Sequence, residues 1–229
     1  ANCTGVRQYV AINEAGETPD SSLPNLLDYE TLMAAASDQA KLPALDENSA
    51  AAMCYTSGTT GNPKGVVYSH RSIYLHTMAV TAADGYGLRQ SDAVLPFVPM
   101  FHANAWGLPY ATLFTGAKLV LPGAGPTAQD LAKIMNDEQI TTAAGVPTIW
   151  NMLYQHLKQN SITLDSVKTL IVGGSAATRA MIENFDKEFD INILHLWGMT
   201  EMSPLGTVGR LREHMDDWSF EQRLDIRMK

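Results

Sequence analysis

Residues 56–65 read Thr-Ser-Gly-Thr-Thr-Gly-Asn-Pro-Lys-Gly, a run dense in hydroxyls and glycines around a single lysine. The apolar segment Ala50-Ala51-Ala52-Met53-Cys54-Tyr55 leads into it and reads as a buried strand. Gly65-Val66-Val67-Tyr68-Ser69 leads out of it; its β-branched and aromatic residues suit a short return strand. Ser69 is placed to cap a helix beginning near His70. The pattern is therefore strand, glycine-rich tip, strand, helix. Glycines let the tip turn its N–H groups inward, the hydroxyls add donors, and Lys64 adds a mobile positive charge. Such a tip is suited to holding a polyphosphate.

It is not the common nucleotide loop, which needs glycine directly before the lysine and Ser or Thr directly after it. Here Pro63 precedes Lys64 and Gly65 follows. Outward from the tip, apolar runs alternate with amphipathic ones. Strands are expected at 8–12, 93–98, 117–121, 141–144, 169–172 and 192–196. Helices are expected at 29–37, 70–84, 104–114, 128–138, 147–159 and 180–189. This alternation predicts an α/β fold of layered, largely parallel sheets with flanking helices and functional loops at strand ends. Composition turns loop-like at 85–92.

The 229 residues are 45% hydrophobic, enough for a substantial core, and carry a net charge of −8. No basic run is present, so a nucleic-acid partner is not expected. No apolar run reaches transmembrane length, and neither Cys3 nor Cys54 points to a disulfide framework; a cytoplasmic setting is the expectation. No His/Cys cluster has zinc spacing. Ser175 lies in an incomplete Gly-x-Ser-x-Gly pattern, because Ala177 stands at the last position, so a hydrolase nucleophile is not expected.

Four further stretches follow in order: Phe101-His102-Ala103-Asn104-Ala105-Trp106, Ala144-Gly145-Val146-Pro147-Thr148, Gly173-Gly174-Ser175-Ala176 and Trp197-Gly198-Met199-Thr200-Glu201. With the loop at 56–65, they resemble the adenylate-forming superfamily of acyl-CoA synthetases, luciferases and peptide-synthetase adenylation domains. The resemblance is greatest to medium- and long-chain fatty acid–CoA ligases and runs from about residue 50 to 205. It implies part of the N-terminal domain of that fold. Residues 1–90 would belong to a first α/β subdomain bearing the phosphate loop, 91–208 to a second bearing the acyl and adenine motifs, and 209–229 to a charged surface arm.

The same resemblance implies ATP-dependent activation of a fatty acid to acyl-AMP, then acyl-CoA, with Mg²⁺ as metal and coenzyme A as co-substrate. Thr56, Ser57, Gly58, Thr59, Thr60, Gly61 and Lys64 would hold the phosphates. Glu201 would bind Mg²⁺, with Thr56 close to it, and Thr200 would donate to the α-phosphate. Trp197 would stack on adenine in a strand end formed by His195, Leu196 and Gly198; the family commonly has glycine where this chain has Leu196. His102 would lie beside the reacting carboxylate and Trp106 would gate the acyl tunnel, with Gly173, Gly174 and Ser175 approaching the adenylate. His102 and Trp106, four apart, would share one side of a helical turn.

The family continues to a ribose-binding aspartate, a hinge and a small mobile domain carrying an adenylation lysine. The chain stops before them, so an internal segment of a longer ligase, inactive alone, is expected. The resemblance is compatible with a homodimer. Transfer to another acceptor, such as a carrier protein, and a non-catalytic nucleotide-binding module remain alternatives.

Overall fold

The computed structural model describes residues 5–13, 20–56 and 61–228. The chain forms two compact units, Ala1–Leu45 and Asp46–Lys229. In the first, β1 (Tyr9–Ala11) pairs in parallel with β2 (Leu26–Asp28), and α1 (Tyr29–Ala35) follows directly. Asp28 caps that helix, accepting from the Thr31 amide at 2.7 Å. The division expected near residue 90 falls inside the second unit, where Tyr86 and Leu88 belong to the same apolar cluster as Val94 and Val98.

The second unit opens with an antiparallel ribbon of β3 (Ala50–Thr56) and β4 (Lys64–Ser69). Its register sets Thr56 opposite Lys64 and Tyr55 opposite Gly65, the expected hairpin around the tip. The ribbon is not the buried strand expected at 50–55, however. Cys54 is 2% exposed, whereas Met53 and Tyr55 on the other face are 55% and 64% exposed. Alternate residues of a strand point to opposite faces, and only one face of this ribbon meets the rest of the unit. Ser69 then caps α2 (His70–Thr81), accepting from the Ser72 amide at 3.0 Å, as expected.

A six-stranded sheet forms the body, in the order β10-β9-β8-β7-β5-β6. Strands β5 (Ala93–Pro96), β6 (Lys118–Leu119), β7 (Thr142–Gly145), β8 (Thr169–Val172) and β9 (Asn192–Gly198) are parallel; β10 (Leu205–Val208) is antiparallel to β9. Its central strands are apolar on both faces, the mark of a sheet covered on both sides. Leu95, Ala143, Leu170 and Ile193 face a core built with α5 (Ala128–Asp137), α6 (Pro147–Asn160) and α7 (Arg179–Phe189). Val94, Ala144, Ile171 and Leu194 face the opposite core, with Val80 of α2 and Leu108 and Ala111 of α4 (Leu108–Thr115). Trp150 of α6 is fully buried, and its indole N–H donates to the Ile171 carbonyl at 3.1 Å. Truncating it to alanine would cost about 3–5 kcal/mol.

The helix expected at 104–114 is broken. Ala103, Asn104, Ala105 and Trp106 all have φ between 47° and 57°, so α3 (Ala103–Trp106) is a single left-handed turn. Gly107 (φ 76°) ends it, and right-handed α4 follows. Left-handed backbone costs about 1–2 kcal/mol for each non-glycine residue, so packing must impose it. Ala103, Ala105 and Trp106 are buried. Asn104 accepts from the Cys54 thiol at 3.0 Å and donates to the Tyr110 hydroxyl at 3.0 Å. The Tyr86 hydroxyl donates to the Trp106 carbonyl at 2.7 Å.

Residues 209–228, expected as a charged surface arm, carry one further helix. That helix, α8 (Phe220–Arg227), is capped by Ser219 and buries Leu224 in the core beside α7. Arg179 pairs with Glu221 and Asp225, and Arg227 donates to Asn192 and to the Ile193 carbonyl.

Candidate functional site

The site lies beyond the carboxyl ends of the parallel strands, where α/β sheets present their loops. After β5 the chain reaches His102 and the left-handed turn; after β8 it reaches Gly173 and Gly174; β9 runs out through Leu196 to Gly198, Met199 and Thr200. These three exits, with Tyr86, Pro204 and Leu205, enclose a cavity of about 310 Å³. Its volume is that of a small ligand pocket. His102 and Trp106 both line it. A right-handed helix had been expected to align them; a left-handed turn does so instead.

Two close approaches shape the walls. A Cβ on Gly173 would lie 3.0 Å from the Trp106 ring, so glycine here lets the indole approach the end of β8 closely. A Cβ on Gly198 would lie 2.2 Å from the Pro204 carbonyl oxygen, so glycine here lets the chain fold back tightly into β10. Between these two residues, Thr200–Met202 forms a short 3-10 turn that carries Thr200 and Glu201.

Strand alternation divides residues 195–198 between the two faces of the sheet. Leu196 is buried and lines the cavity, on the side of the sheet that also carries Leu194 and Trp106. His195 and Trp197 point to the opposite face, with Ile193. Trp197 is 54% exposed and rests over Gly206, leaving much of its ring open to stacking. Neither His195, Trp197 nor Ser175 lines the cavity. The His195 carbonyl accepts from the Gly209 amide at 2.8 Å.

The β3–β4 ribbon approaches the same turn. β3 packs against the 3-10 turn, bringing the strand that ends at Thr56 toward Thr200 and Glu201. The Tyr68 hydroxyl of β4 donates to the Thr200 carbonyl at 2.6 Å. Burial, reinforced by Cys54 and Glu201, pushes the Tyr68 phenol up to about 12, so it stays a donor. Lys64 and Gly61 are exposed, and the Thr56 hydroxyl reaches the Lys64 carbonyl at 3.5 Å. Ser57, Gly58, Thr59 and Thr60 lie outside the described residues.

Among the described residues no group of three His, Cys, Asp or Glu side chains is gathered as for a metal cage. A lone carboxylate with a neighbouring hydroxyl suits Mg²⁺ better. That ion keeps several waters and is usually held by one or two carboxylates together with substrate phosphates. Glu201, exposed on the 3-10 turn against which β3 packs, is a carboxylate of that kind.

Three residues of this site carried no signal in the sequence. Tyr68 reads only as a strand aromatic and Tyr86 only as part of a Gly-Tyr-Gly helix end. His76 lies within an ordinary helix. It is buried, and its Nε2 accepts from the Leu205 amide at 3.1 Å, joining α2 to the start of β10. Desolvation pushes its pKa down to about 4, so the ring is neutral at physiological pH.

The sequence profile of a family described as AMP-binding enzyme matches residues 5–223. A medium-chain-fatty-acid–CoA ligase of Ectopseudomonas oleovorans is 41% identical over 222 residues, covering 97% of this chain and 41% of that protein. A 3-methylmercaptopropionyl-CoA ligase of Ruegeria lacuscaerulensis is 42% identical over 204 residues, covering 89% of this chain and 38% of that protein. The chain thus spans about two fifths of the length of these curated relatives. Among solved structures, a long-chain-fatty-acid-CoA ligase from Archaeoglobus fulgidus superposes with a TM-score of 0.72 at 22% identity. That match covers 90% of this chain and 42% of that protein, a likeness of fold.

Proposed function

Since the chain belongs to the family of AMP-binding enzymes, we propose that it supplies the acyl and nucleotide site of a ligase that activates a medium- or long-chain fatty acid with ATP. A carboxylate oxygen attacks the α-phosphorus, the bond to the β-phosphate oxygen breaks, and pyrophosphate leaves with that electron pair. The thiolate of coenzyme A then attacks the acyl carbon, and AMP leaves. The observation that carries this reading is the cavity joining His102, Trp106, Gly173, Gly174, Gly198 and Thr200 at the ends of three strands.

The first step concentrates negative charge, so it calls for preorganised donors and cations rather than a covalent nucleophile. Lys64 would offer these to the β- and γ-phosphates, and the Thr200 hydroxyl to the α-phosphate. Mg²⁺, held by Glu201 with Thr56 beside it, would neutralise charge on the phosphates. His102, at the cavity rim, orients the carboxylate, and the apolar slot lined by Ala103, Trp106 and Leu196 takes the hydrocarbon. Trp197 presents its open ring to adenine. The division into subdomains near residue 90 and a cytoplasmic setting belong to the same proposal. No helix of the described residues is long and apolar enough to cross a membrane.

Pyrophosphate exchange by the full-length protein, scanned from butyrate to palmitate, tests this. Exchange with aliphatic acids, followed by coenzyme A-dependent AMP release, is expected. No exchange with any aliphatic acid would sink the proposal, and exchange without a response to coenzyme A would point to another acceptor.

A further inference from the structure

The cavity has an open rim and a closed end. Gly174, Gly198 and Met199 at the rim are exposed, whereas Ala103, Trp106, Leu196 and Tyr86 are buried. Tyr86 comes from outside the strand-end loops, from the chain that leaves α2, and it is 3% exposed. Its hydroxyl is satisfied by the Trp106 carbonyl, so the phenol spans from its own backbone to the turn beneath the acyl slot. A buried aromatic ring at the closed end of an apolar slot limits how far a hydrocarbon can enter.

The backbone of this residue is pinned. The Tyr86 amide donates to the Val80 carbonyl at 2.6 Å. A Cβ on the preceding Gly85 would lie 2.3 Å from that same oxygen, so glycine there permits the close return. Arg210 closes the clamp: its Nε donates to the Gly85 carbonyl at 3.0 Å and its Nη2 to the Tyr86 carbonyl at 3.1 Å. A guanidinium on two adjacent carbonyls is a fixed fork rather than a loose tether. The charged segment after β10 thereby holds the residue at the floor of the slot.

We propose that Tyr86 forms the floor of the acyl slot and sets the length of the acid activated there, with Arg210 as the positioning residue that keeps the floor in place. This rests on the fatty-acid reading above. A well-packed wall discriminates about tenfold or more for each methylene that does not fit. Shortening the floor residue therefore moves the optimum toward longer acids.

The test measures kcat/KM for pyrophosphate exchange from butyrate to palmitate in the full-length protein and its Tyr86→Phe, Tyr86→Leu and Tyr86→Ala variants. Tyr86→Leu and Tyr86→Ala are expected to raise the ratio for longer over shorter acids by about tenfold, while KM for ATP stays put. Tyr86→Phe keeps the ring and is expected to keep the wild-type order of acids. Arg210→Gln is expected to blur the length preference, again without moving KM for ATP. That pattern separates a positioning role from a general loss of structure. Should Tyr86→Ala fail to fold, Tyr86→Leu, which fills more of the space, decides. A folded Tyr86→Leu variant with the wild-type order of acids overturns the proposal. Absence of exchange in the wild type with any acid instead overturns the fatty-acid reading beneath it.

Discussion

The two sides of the site are built differently. The acyl side stands on the central parallel strands, and its walls are buried residues of one continuous core, Leu196, Trp106, Ala103 and Tyr86. The phosphate side stands on a two-stranded ribbon whose outer face is exposed and whose tip carries Lys64 in the open. Among the described residues, side-chain links run from Tyr68 to Thr200 and Cys54 to Asn104 from the ribbon, and from His76 to Leu205 from α2. Packing thus preforms the apolar half, while the polar half has donors whose partner would be the incoming anion. Changes on the ribbon tip should then act on the reaction with little effect on stability, and changes at the links on both.

The largest effect expected is Glu201→Gln or Lys64→Ala in the full-length protein. Removing one preorganised charge from a site where negative charge develops lowers turnover by about 10²–10³. Both side chains are exposed, so thermal unfolding should hardly change. Pyrophosphate exchange and melting curves read the two quantities separately. A turnover loss matched by a comparable loss of stability would erase the contrast between the two sides.

Next comes acidity at a link. Unfolded, His76 takes up its proton near the ordinary pKa of about 6.5; folded, it resists until about 4. In that window the unfolded state binds more protons, so stability falls as pH drops, by at most about 1.4 kcal/mol per unit. Above the window both states are neutral and the contribution is flat. Urea midpoints measured from neutral pH down to about 4 should show the decline in the wild type and a shallower one in His76→Gln. Parallel curves would mean that another group controls the acid response.

Tyr68→Phe is smaller. It removes one donor to the Thr200 carbonyl and leaves the ring in place, costing about 1 kcal/mol. Because that carbonyl belongs to the turn bearing Thr200 and Glu201, kcat should fall more than KM for the fatty acid rises. A variant that lost stability alone would make the link purely structural.

How much of this was legible follows from range. The hairpin around the tip, the Ser69 cap and the parallel strands were readable, because local pattern and local contacts agree there. The exposure of Met53 and Tyr55 was not, because an apolar run does not reveal how many of its faces find partners. Nor was Tyr86. Flanking glycines announce the end of a helix, but the hydroxyl's partner, Trp106, is twenty residues away and was itself placed on the wrong kind of turn. The family motifs named His102 and Trp106; only the structure showed that strained backbone brings them together.

That strain gives the smallest and most discriminating prediction. Ala105 and Ala111 are both fully buried alanines, one in the left-handed turn and the other in α4. Replacing either with glycine removes one buried methyl, worth about 0.8 kcal/mol. At Ala111 glycine also loses about 1 kcal/mol of helix propensity, so Ala111→Gly should lower the melting temperature clearly. At Ala105 the change instead releases the roughly 1–2 kcal/mol that an L-residue spends in left-handed backbone, and the terms nearly cancel. Ala105→Gly should therefore melt close to the wild type. If it melts as low as Ala111→Gly, the turn is not held against its own preference, and the acyl wall is not the place where the core has imposed an otherwise unfavourable conformation.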